Sequence, residues 1–438
     1  FGPVVSPDGK TIAFRGHDDN VLAYEQANLY LMNADGSNVR EIAADFDREI
    51  GALKWAPDGR SLYSAIENAG NMDLFQISTG GATSIAVSGL GGTSIGRPYA
   101  GADFSISETR NPVIAYTAGS MDTPSEVAIA GRGVNARTLT ALNDDVLPYL
   151  DMARVEEFKV SSSADGREIE AWVALPPDFK ADGSFPMILE IHGGPFSMYG
   201  PFFASEIQRY AAEGYVTVWA NPRGSTGYGT AFSKQHTGNY TDPEFTDLVD
   251  AKRALVAEGI ADADRTGVTG GSYGGYATAW SSTRWSEEFA AGVMFVGISN
   301  QVSKFGTGDI PYEMYNVHSG KWPWDDWMAM LEVSPIFHVD KASTPLLIMH
   351  GEEDTRVDPG QSLELYRAMK IRKPDVPVRL VFYPGEGHGN RKAAARYDYN
   401  LRMMRWFDTY LKTGDRDAPL PAERPVLPAG TTGVSSDD

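Results

Sequence analysis

The chain has 438 residues, of which 42% are hydrophobic and 22% are charged, and it contains no cysteine. This length and composition are typical of about two to three globular domains, and the absence of cysteine excludes disulfides, a thiol nucleophile and cysteine-based metal sites. With 58 acidic and 38 basic residues the net charge is −20, which argues against nucleic acid and anionic membranes as partners, and no apolar run reaches the roughly 18 residues that a membrane span requires.

The first 150 residues contain a sequence repeat. The segment VSPDGKTIAF at 5–14 recurs as WAPDGRSLYS at 55–64, and a third, degraded copy covers 112–130. Each Pro-Asp-Gly turn is followed by an alternating strand pattern, and four short strands per repeat predict the blades of a β-propeller. Because propellers usually have four to eight blades, three blades predict an incomplete ring. We expect the N-terminal blades to lie upstream of Phe1 or on a second chain.

Beyond residue 150 the pattern changes to strands that alternate with helices, which predicts a doubly wound, mostly parallel α/β domain over 151–412. A hairpin is predicted at 158–173, and helices include 245–258, 361–370 and 396–411. The tail at 413–438 is rich in Pro, Ala, Gly, Ser and Asp and is expected to be disordered or loosely attached. Buried strands are predicted at 187–191, 216–220, 266–269, 292–296, 346–349 and 378–382.

A Gly-x-Ser-x-Gly motif is centred on Ser272, between the predicted strand 266–269 and a predicted helix at 276–283. A nucleophilic serine needs a tight strand-to-helix turn of this kind, in which bulky neighbours would clash and the helix N-terminus favours developing negative charge. The alternative is a glycine-rich phosphate loop, but the lysine of a P-loop is absent. The motif therefore predicts that Ser272 is a nucleophile.

A serine nucleophile needs a base and an acid, which follow it along the chain in this type of fold. His388 lies in a loop after the predicted strand 378–382, and Asp354 follows the strand 346–349. We predict that His388 accepts the Ser272 proton and that Asp354 orients the imidazole. Asp358 and Glu353 are alternatives for the acid, unless they are solvated or cap the next helix. The remaining candidates, His17, His236, His318, His338 and His350, are assigned structural roles.

An oxyanion hole is predicted at the end of the strand 187–191, where the sequence continues as His-Gly-Gly-Pro. Glycines let backbone N–H groups point at a developing oxyanion. The predicted donors are the N–H groups of Gly194 and Tyr273, although a simple strand-to-loop turn is the alternative for Gly194. Because His-Glu-x-x-His and other ligand clusters are absent from the sequence, we expect no metal and no cofactor.

Together these motifs resemble the prolyl oligopeptidase family of serine peptidases, in particular its acylaminoacyl-peptidase and dipeptidyl-peptidase branches. The resemblance implies an α/β-hydrolase catalytic domain preceded by a β-propeller that restricts entry to short peptides. The motifs that carry it are HGGP at 192–195, NPRGSTGYG at 221–229, GGSYGG at 270–275, HGEED at 350–354 and GHG at 387–389.

The same resemblance implies substrate-binding positions. Arg356 matches a residue that contacts the substrate backbone, and Ile298, Val357 and Tyr273 match an apolar primary pocket. Core packing or a surface ion pair is an equal alternative for each. The aromatic-rich segment 305–327 either walls the substrate cleft or belongs to the core, and Arg223 is expected to brace the floor of the site.

The predicted function is that of a serine peptidase acting on short peptides through an acyl-enzyme. An esterase or amidase with the same triad is one alternative, because a triad does not define its leaving group, and a non-catalytic propeller protein is another. The resemblance favours export, for example to a bacterial periplasm, with any signal peptide upstream of Phe1.

Overall fold

A computed structural model describes residues 1–20, 24–94, 96–236, 240–313, 315 and 320–423. The N-terminal domain is built from antiparallel strands, and each predicted repeat contributes four of them. The first repeat forms β1 Val4–Val5, β2 Thr11–Gly16, β3 Asn28–Asn33 and β4 Arg40–Ile42; the second forms β5 Leu53–Trp55, β6 Ser61–Asn68, β7 Asn71–Ser78 and β8 Thr83–Leu90; the third forms β9 Phe104–Ile106, β10 Val113–Ala118, β11 Glu126–Gly131 and β12 Val134–Thr138.

The Pro-Asp-Gly segments form the turns between β1 and β2 and between β5 and β6. Gly9 has φ 72° and Gly59 has φ 67°, a left-handed conformation that favours glycine. The strands β1–β4 form one sheet, while β5–β12 form a second sheet in which the second and third repeats are joined by one residue pair, Leu90 with Ala118. The repeat pattern in the sequence therefore corresponds to a repeated four-stranded unit.

The C-terminal domain contains an eight-stranded sheet with the order β13-β14-β16-β15-β17-β18-β19-β20. The pairs β13–β14 and β14–β16 are antiparallel, and the remaining pairs are parallel. The central strands are apolar and buried on both faces, as expected for parallel strands covered by helices. The strands are β13 Arg154–Ser161, β14 Glu168–Leu175, β15 Met187–Ile191, β16 Val216–Ala220, β17 Thr266–Gly271, β18 Ala291–Phe295, β19 Leu346–Gly351 and β20 Val378–Tyr383.

Helices cover both faces of this sheet, as the doubly wound prediction requires. The α-helices are α1 Ser205–Ala212, α2 Thr230–Ser233, α3 Asp242–Ala257, α4 Tyr273–Thr283, α5 Gln301–Thr307, α6 Pro311–Glu313, α7 Trp327–Glu332, α8 Gly360–Arg372 and α9 Ala393–Phe407, which continues as a π-helix over Asp408–Lys412. Helices α1 and α9 pack on one face with Tyr210 and Phe407 in its core, and α3 and α4 pack on the other with Phe245 and Trp280. Short 3-10 helices span Leu147–Tyr149, Lys234–His236, Ala263–Arg265, Ser286–Glu288 and Pro335–Lys341.

The first part of the predicted tail is attached to the C-terminal domain. Ala418 is buried in the core that α1 and α9 cover, and Glu423 forms ion pairs with Arg379 at 3.0 Å and Arg402 at 2.7 Å. Residues 413–423 therefore differ from the expected loose tail, because these ion pairs and the buried alanine hold them in place. The rest of that tail, 424–438, lies outside the described residues.

Candidate active site

Ser272 stands at the turn between β17 and α4, with φ 60° and ψ −116°. This conformation is sparsely populated by residues other than glycine and is typical of functional turns. The neighbouring glycines explain the motif. A Cβ atom on Gly274 would lie 2.2 Å from the carbonyl oxygen of Ile191, and one on Gly270 would lie 2.6 Å from the same oxygen. Only glycine allows α4 to approach β15 so closely.

His388 and Asp354 extend from the ends of neighbouring strands toward Ser272. The His388 Nδ1 atom lies 2.7 Å from Asp354 Oδ2, and its Nε2 atom lies 2.9 Å from Ser272 Oγ. Because an ionised carboxylate can only accept hydrogen bonds, the proton belongs on Nδ1, and Nε2 is left to accept from the serine hydroxyl. The predicted serine, histidine and aspartate are therefore brought together in the order required for proton transfer.

Asp354 is buried and surrounded by hydrogen-bond donors. Its Oδ1 atom accepts from the backbone N–H groups of Arg356 at 2.9 Å and Val357 at 3.1 Å. Its Oδ2 atom also lies 3.1 Å from Nε2 of His350, a histidine assigned only a structural role from the sequence. Burial alone raises the pKa of the Asp354 carboxyl, but the hydrogen bonds from His350 and His388 outweigh it and hold that pKa well below its usual value. The Asp354 carboxyl group is therefore ionised at neutral pH, where it can orient His388.

The other two acid candidates do not contact His388. Asp358 Oδ1 accepts from the Gly360 N–H at 2.7 Å, at the start of α8, which is the capping role considered from the sequence. The Glu353 backbone N–H donates to Glu386 at 2.8 Å, and the residue is exposed. Of the three carboxylates, Asp354 is the one that reaches the imidazole.

The two residues predicted to donate to the oxyanion both line the cavity beside Ser272. Tyr273 is the first residue of α4, and Gly194, which has φ 129°, is exposed to the cavity beside Ser272. Among the described residues the Gly194 N–H has no acceptor, so it can donate to a bound group. Two backbone donors beside a nucleophile form the arrangement that stabilises an oxyanion during acyl transfer.

A cavity of about 450 Å³ opens next to Ser272. All of the predicted substrate-binding residues line it: Arg356, Val357 and Ile298, together with Tyr273. Ile298 and Val357 are also buried in the core beneath the cavity, so they pack in the core as well as lining the cavity, and their role in substrate binding stays a prediction. Arg356 is exposed and forms an ion pair with Asp309 at 2.6 Å. Its guanidinium group therefore lies at the rim of the cavity.

Two residues of the N-terminal domain, Arg97 and Tyr99, also line the cavity and were missed from the sequence. They lie between β8 and β9 in a stretch without strand or helix periodicity, and no motif marks them. Their position depends on how the two domains pack, which local sequence patterns do not contain. Lys304 of α5 is a further lining residue without a sequence signal.

Arg223 lies outside the cavity, whereas the aromatic-rich segment 305–327 contributes Ile310 to the cavity wall. Arg223 is held by Asp247 at 2.8 Å and Asp165 at 3.1 Å, so it braces the 221–229 loop against α3 and the β13–β14 hairpin. In the aromatic-rich segment, Trp322 and Trp324 stack at 5.3 Å, and Trp324 and Trp327 are exposed, which contradicts a place in the core. His318 and the His236 side chain lie outside the described residues.

Among the residues that the structure describes, no group of three or more His, Asp or Glu side chains could hold a metal ion. No helix among the same residues is both long and apolar enough to cross a membrane.

The chain is similar to many known proteins and solved structures. Residues 201–414 match the model of the prolyl oligopeptidase family. Dipeptidyl-peptidase 5 of Porphyromonas gingivalis is 27% identical over 94% of this chain and 59% of its own length, and an uncharacterised peptidase of Bacillus subtilis is 33% identical over 70% and 47%.

Among solved structures, the acylaminoacyl peptidase of Pyrococcus horikoshii superimposes with a TM-score of 0.79 at 26% identity, over 94% of this chain and 63% of that one. The predicted fold class, propeller strands followed by an α/β-hydrolase domain, is thereby confirmed. The chain spans about half to three fifths of the length of the curated relatives named above.

Proposed function

We propose, because the chain belongs to the prolyl oligopeptidase family, that it is a serine peptidase that hydrolyses peptide bonds in short peptides. The observation that carries this proposal is the continuous hydrogen-bonded series from Ser272 Oγ through His388 to Asp354, beside an open cavity. Relatives named as peptidases support the same reaction class.

The reaction proceeds through an acyl-enzyme. Ser272 Oγ attacks the carbonyl carbon of the scissile bond while its proton moves to Nε2 of His388, and the carbonyl electron pair moves onto oxygen. The N–H groups of Gly194 and Tyr273 stabilise that oxyanion, and each such donor contributes about 3–4 kcal/mol in the transition state. The intermediate collapses when the C–N bond breaks and the leaving amine takes the proton from His388.

The second half repeats these steps with water. His388 Nε2 accepts a proton from water, the hydroxide oxygen attacks the ester carbon, and Ser272 Oγ leaves with the proton that His388 returns. Throughout, Asp354 keeps the Nδ1 proton in place and stabilises the imidazolium. The apolar wall formed by Ile298 and Val357 is suited to a substrate side chain. Arg356 lies at the rim of the cavity, where it can contact the peptide backbone of the substrate.

The proposal is tested with three substrate types: peptide anilides with a free N-terminus, the same peptides with an acylated N-terminus, and simple aryl esters. We expect anilide hydrolysis, and the ratio of the first two identifies the exopeptidase type. Turnover of esters alone would instead favour the esterase alternative.

Ser272→Ala provides the accompanying chemical test. We expect a fluorophosphonate probe to label the wild-type protein and not this variant, with anilide hydrolysis lost by a factor of about 10⁶. Ser281→Ala, a buried serine of α4 outside the cavity, is the matched control and should be labelled normally. A wild-type protein that the probe does not label contradicts the enzymatic proposal.

A further inference from the structure

A short segment of the N-terminal domain, residues 96–100, runs directly along the active-site loop of the C-terminal domain. We call it the bridging segment. The Gly200 N–H donates to the carbonyl of Pro98, and the Ala100 N–H donates to that of Met198, both at 3.0 Å. Tyr99 and Tyr199 form an antiparallel bridge between these bonds. The bridging segment therefore acts as an additional strand on the loop that follows the His-Gly-Gly-Pro motif.

Arg97 anchors the bridging segment in the C-terminal domain. Its side chain is 13% exposed, and Nε lies 3.1 Å from Glu190 of β15 and 3.3 Å from Glu206 of α1. One Nη atom donates to the Tyr399 hydroxyl of α9 at 2.8 Å. Charge-assisted bonds from one planar guanidinium to three elements leave little freedom for the residues beside it.

Tyr99, two residues further on, reaches the predicted oxyanion hole. Its hydroxyl accepts a hydrogen bond from the Gly193 N–H at 2.6 Å. A Cβ atom on Gly193 would lie 3.0 Å from that hydroxyl and 3.4 Å from Ser272 Cβ, so the tyrosine, the glycine and the nucleophile are tightly packed. Consecutive glycines have little conformational preference of their own, so the bond from Gly193 to Tyr99, together with the 2.8 Å contact between His192 Nδ1 and the Gly193 carbonyl oxygen, restricts the Gly193–Gly194 turn.

We propose that Tyr99 is a positioning residue for the oxyanion hole, holding the Gly193–Gly194 turn through its hydroxyl while Arg97 holds the bridging segment in place. This inference rests on the proposed function. It means that the N-terminal domain completes the catalytic site in addition to bordering it. Since the Gly194 N–H acts on the oxyanion and not on the bound substrate, loss of the Tyr99 hydroxyl should reduce kcat while KM stays nearly constant.

The test compares Tyr99→Phe with Tyr116→Phe, a tyrosine of β10 in the same domain that does not line the cavity. Two quantities are measured: kcat and KM for a peptide anilide, and the inhibition constant of a peptide boronic acid, which forms a tetrahedral adduct on a reactive serine. For Tyr99→Phe we expect kcat to fall and the inhibition constant to rise by similar factors of about 10- to 100-fold. Tyr116→Phe should match the wild type in both.

Unchanged kcat and boronate affinity in a folded Tyr99→Phe variant would overturn the positioning role, and so would a change confined to KM. If that variant does not fold, Arg97→Lys replaces it, because lysine keeps the charge beside Glu190 but lacks the planar fork; a loss of kcat at constant KM is again required. A wild-type protein inactive on peptides and esters contradicts the proposed function itself, whereas an active wild type with an unaffected variant contradicts only this inference.

Discussion

Asp354 shows how one side chain is prepared for its role by its neighbours. Two histidines and two backbone N–H groups surround its carboxylate. His350 is in turn tied to Ser362 by a 2.6 Å contact at Nδ1. His350, which helps to orient the Asp354 carboxylate, is therefore itself held in place by Ser362. The position of His388 depends on both Asp354 and His350. Removing either histidine would leave the buried carboxylate short of donors, which is costly in a poorly solvated site.

The lowered pKa of Asp354 predicts a pH-dependent contribution to stability. Its pKa in the folded protein lies below the ordinary value of 3.8, so the unfolded chain binds the extra proton. The stabilisation is present above that value and is lost as the pH falls through the folded-state pKa. For Asp354→Asn we expect a shallower loss of stability than in the wild type between about pH 5 and pH 3.

Urea unfolding at several pH values measures this difference. Ser272→Ala leaves the bonds of Asp354 intact and serves as the control, which should follow the wild-type slope. Equal slopes for Asp354→Asn and the wild type would contradict the pKa shift.

At the level of elements, the elbow depends on how closely α4 approaches β15. Gly274 lies in the first turn of the helix, and the carbonyl of Ile191 occupies the space where a side chain would begin. Both groups are backbone in a buried, central part of the sheet, so neither can move without disturbing the strands beside it. The glycines of the motif therefore serve packing as much as chemistry.

Gly274→Ala is expected to destabilise the protein by about 1–3 kcal/mol or more, because overpacking in a rigid core is costly. Gly306→Ala is the matched control, since Gly306 lies in α5, is exposed, and has no atom within 4 Å of an added Cβ. It should stabilise the protein by up to about 1 kcal/mol through helix propensity. Thermal unfolding of both variants provides the comparison, and a Gly274→Ala variant as stable as the wild type contradicts the steric explanation.

The helices and strands were largely predictable from the sequence, because their limits are set by local residue patterns. The strands 187–191 and 216–220 have the predicted limits, since a run of apolar residues buried on both faces shows where a parallel strand begins and ends. The chain order of Ser272, Asp354 and His388 follows from the topology of such sheets. The bridging segment was not predictable, because the roles of Arg97 and Tyr99 arise only when two distant parts of the chain meet.

At the scale of the whole molecule, the two domains are connected by buried charge. Burial raises the pKa of Glu190 to about 7, although the Arg97 charge acts to lower it. Glu206 contributes a second carboxylate at the same place, and the guanidinium of Arg97 lies between the two. Asp47 of the N-terminal domain adds a more exposed contact, accepting from the Thr230 backbone N–H at 2.8 Å. The domains are thus held together by electrostatics at the active site and by polar contacts beside it.

Arg97→Met is expected to destabilise the protein by about 3–5 kcal/mol, because it leaves a buried carboxylate without its cation. The effect should depend on pH. An acid whose pKa is raised on folding favours the folded state at low pH and destabilises it as the pH rises through the folded-state value. Without Arg97 the pKa of Glu190 rises further. The difference in free energy of unfolding between the wild type and Arg97→Met should therefore be smaller at about pH 5.5 than at about pH 8.

Thermal unfolding at both pH values tests this prediction. Arg154→Met is the control, since it removes an exposed ion pair with Glu156 that should contribute less than about 1 kcal/mol. A deficit no larger than that of the control, or one that grows toward acidic pH, would contradict the prediction.

The bridging segment affects which part of this chain could be exchanged with another protein of the same architecture in a chimera. A chimera joined at the apparent boundary near residue 150 would import a hydrolase sequence whose Glu190 and Glu206 have lost their guanidinium and whose Gly193 has lost its acceptor. The part that would have to be exchanged is therefore discontinuous: the α/β-hydrolase domain together with residues 96–100 of the domain that precedes it. Substitutions in residues 96–100 and in the His-Gly-Gly-Pro loop should accordingly be constrained as a set, although about a hundred positions separate them along the chain.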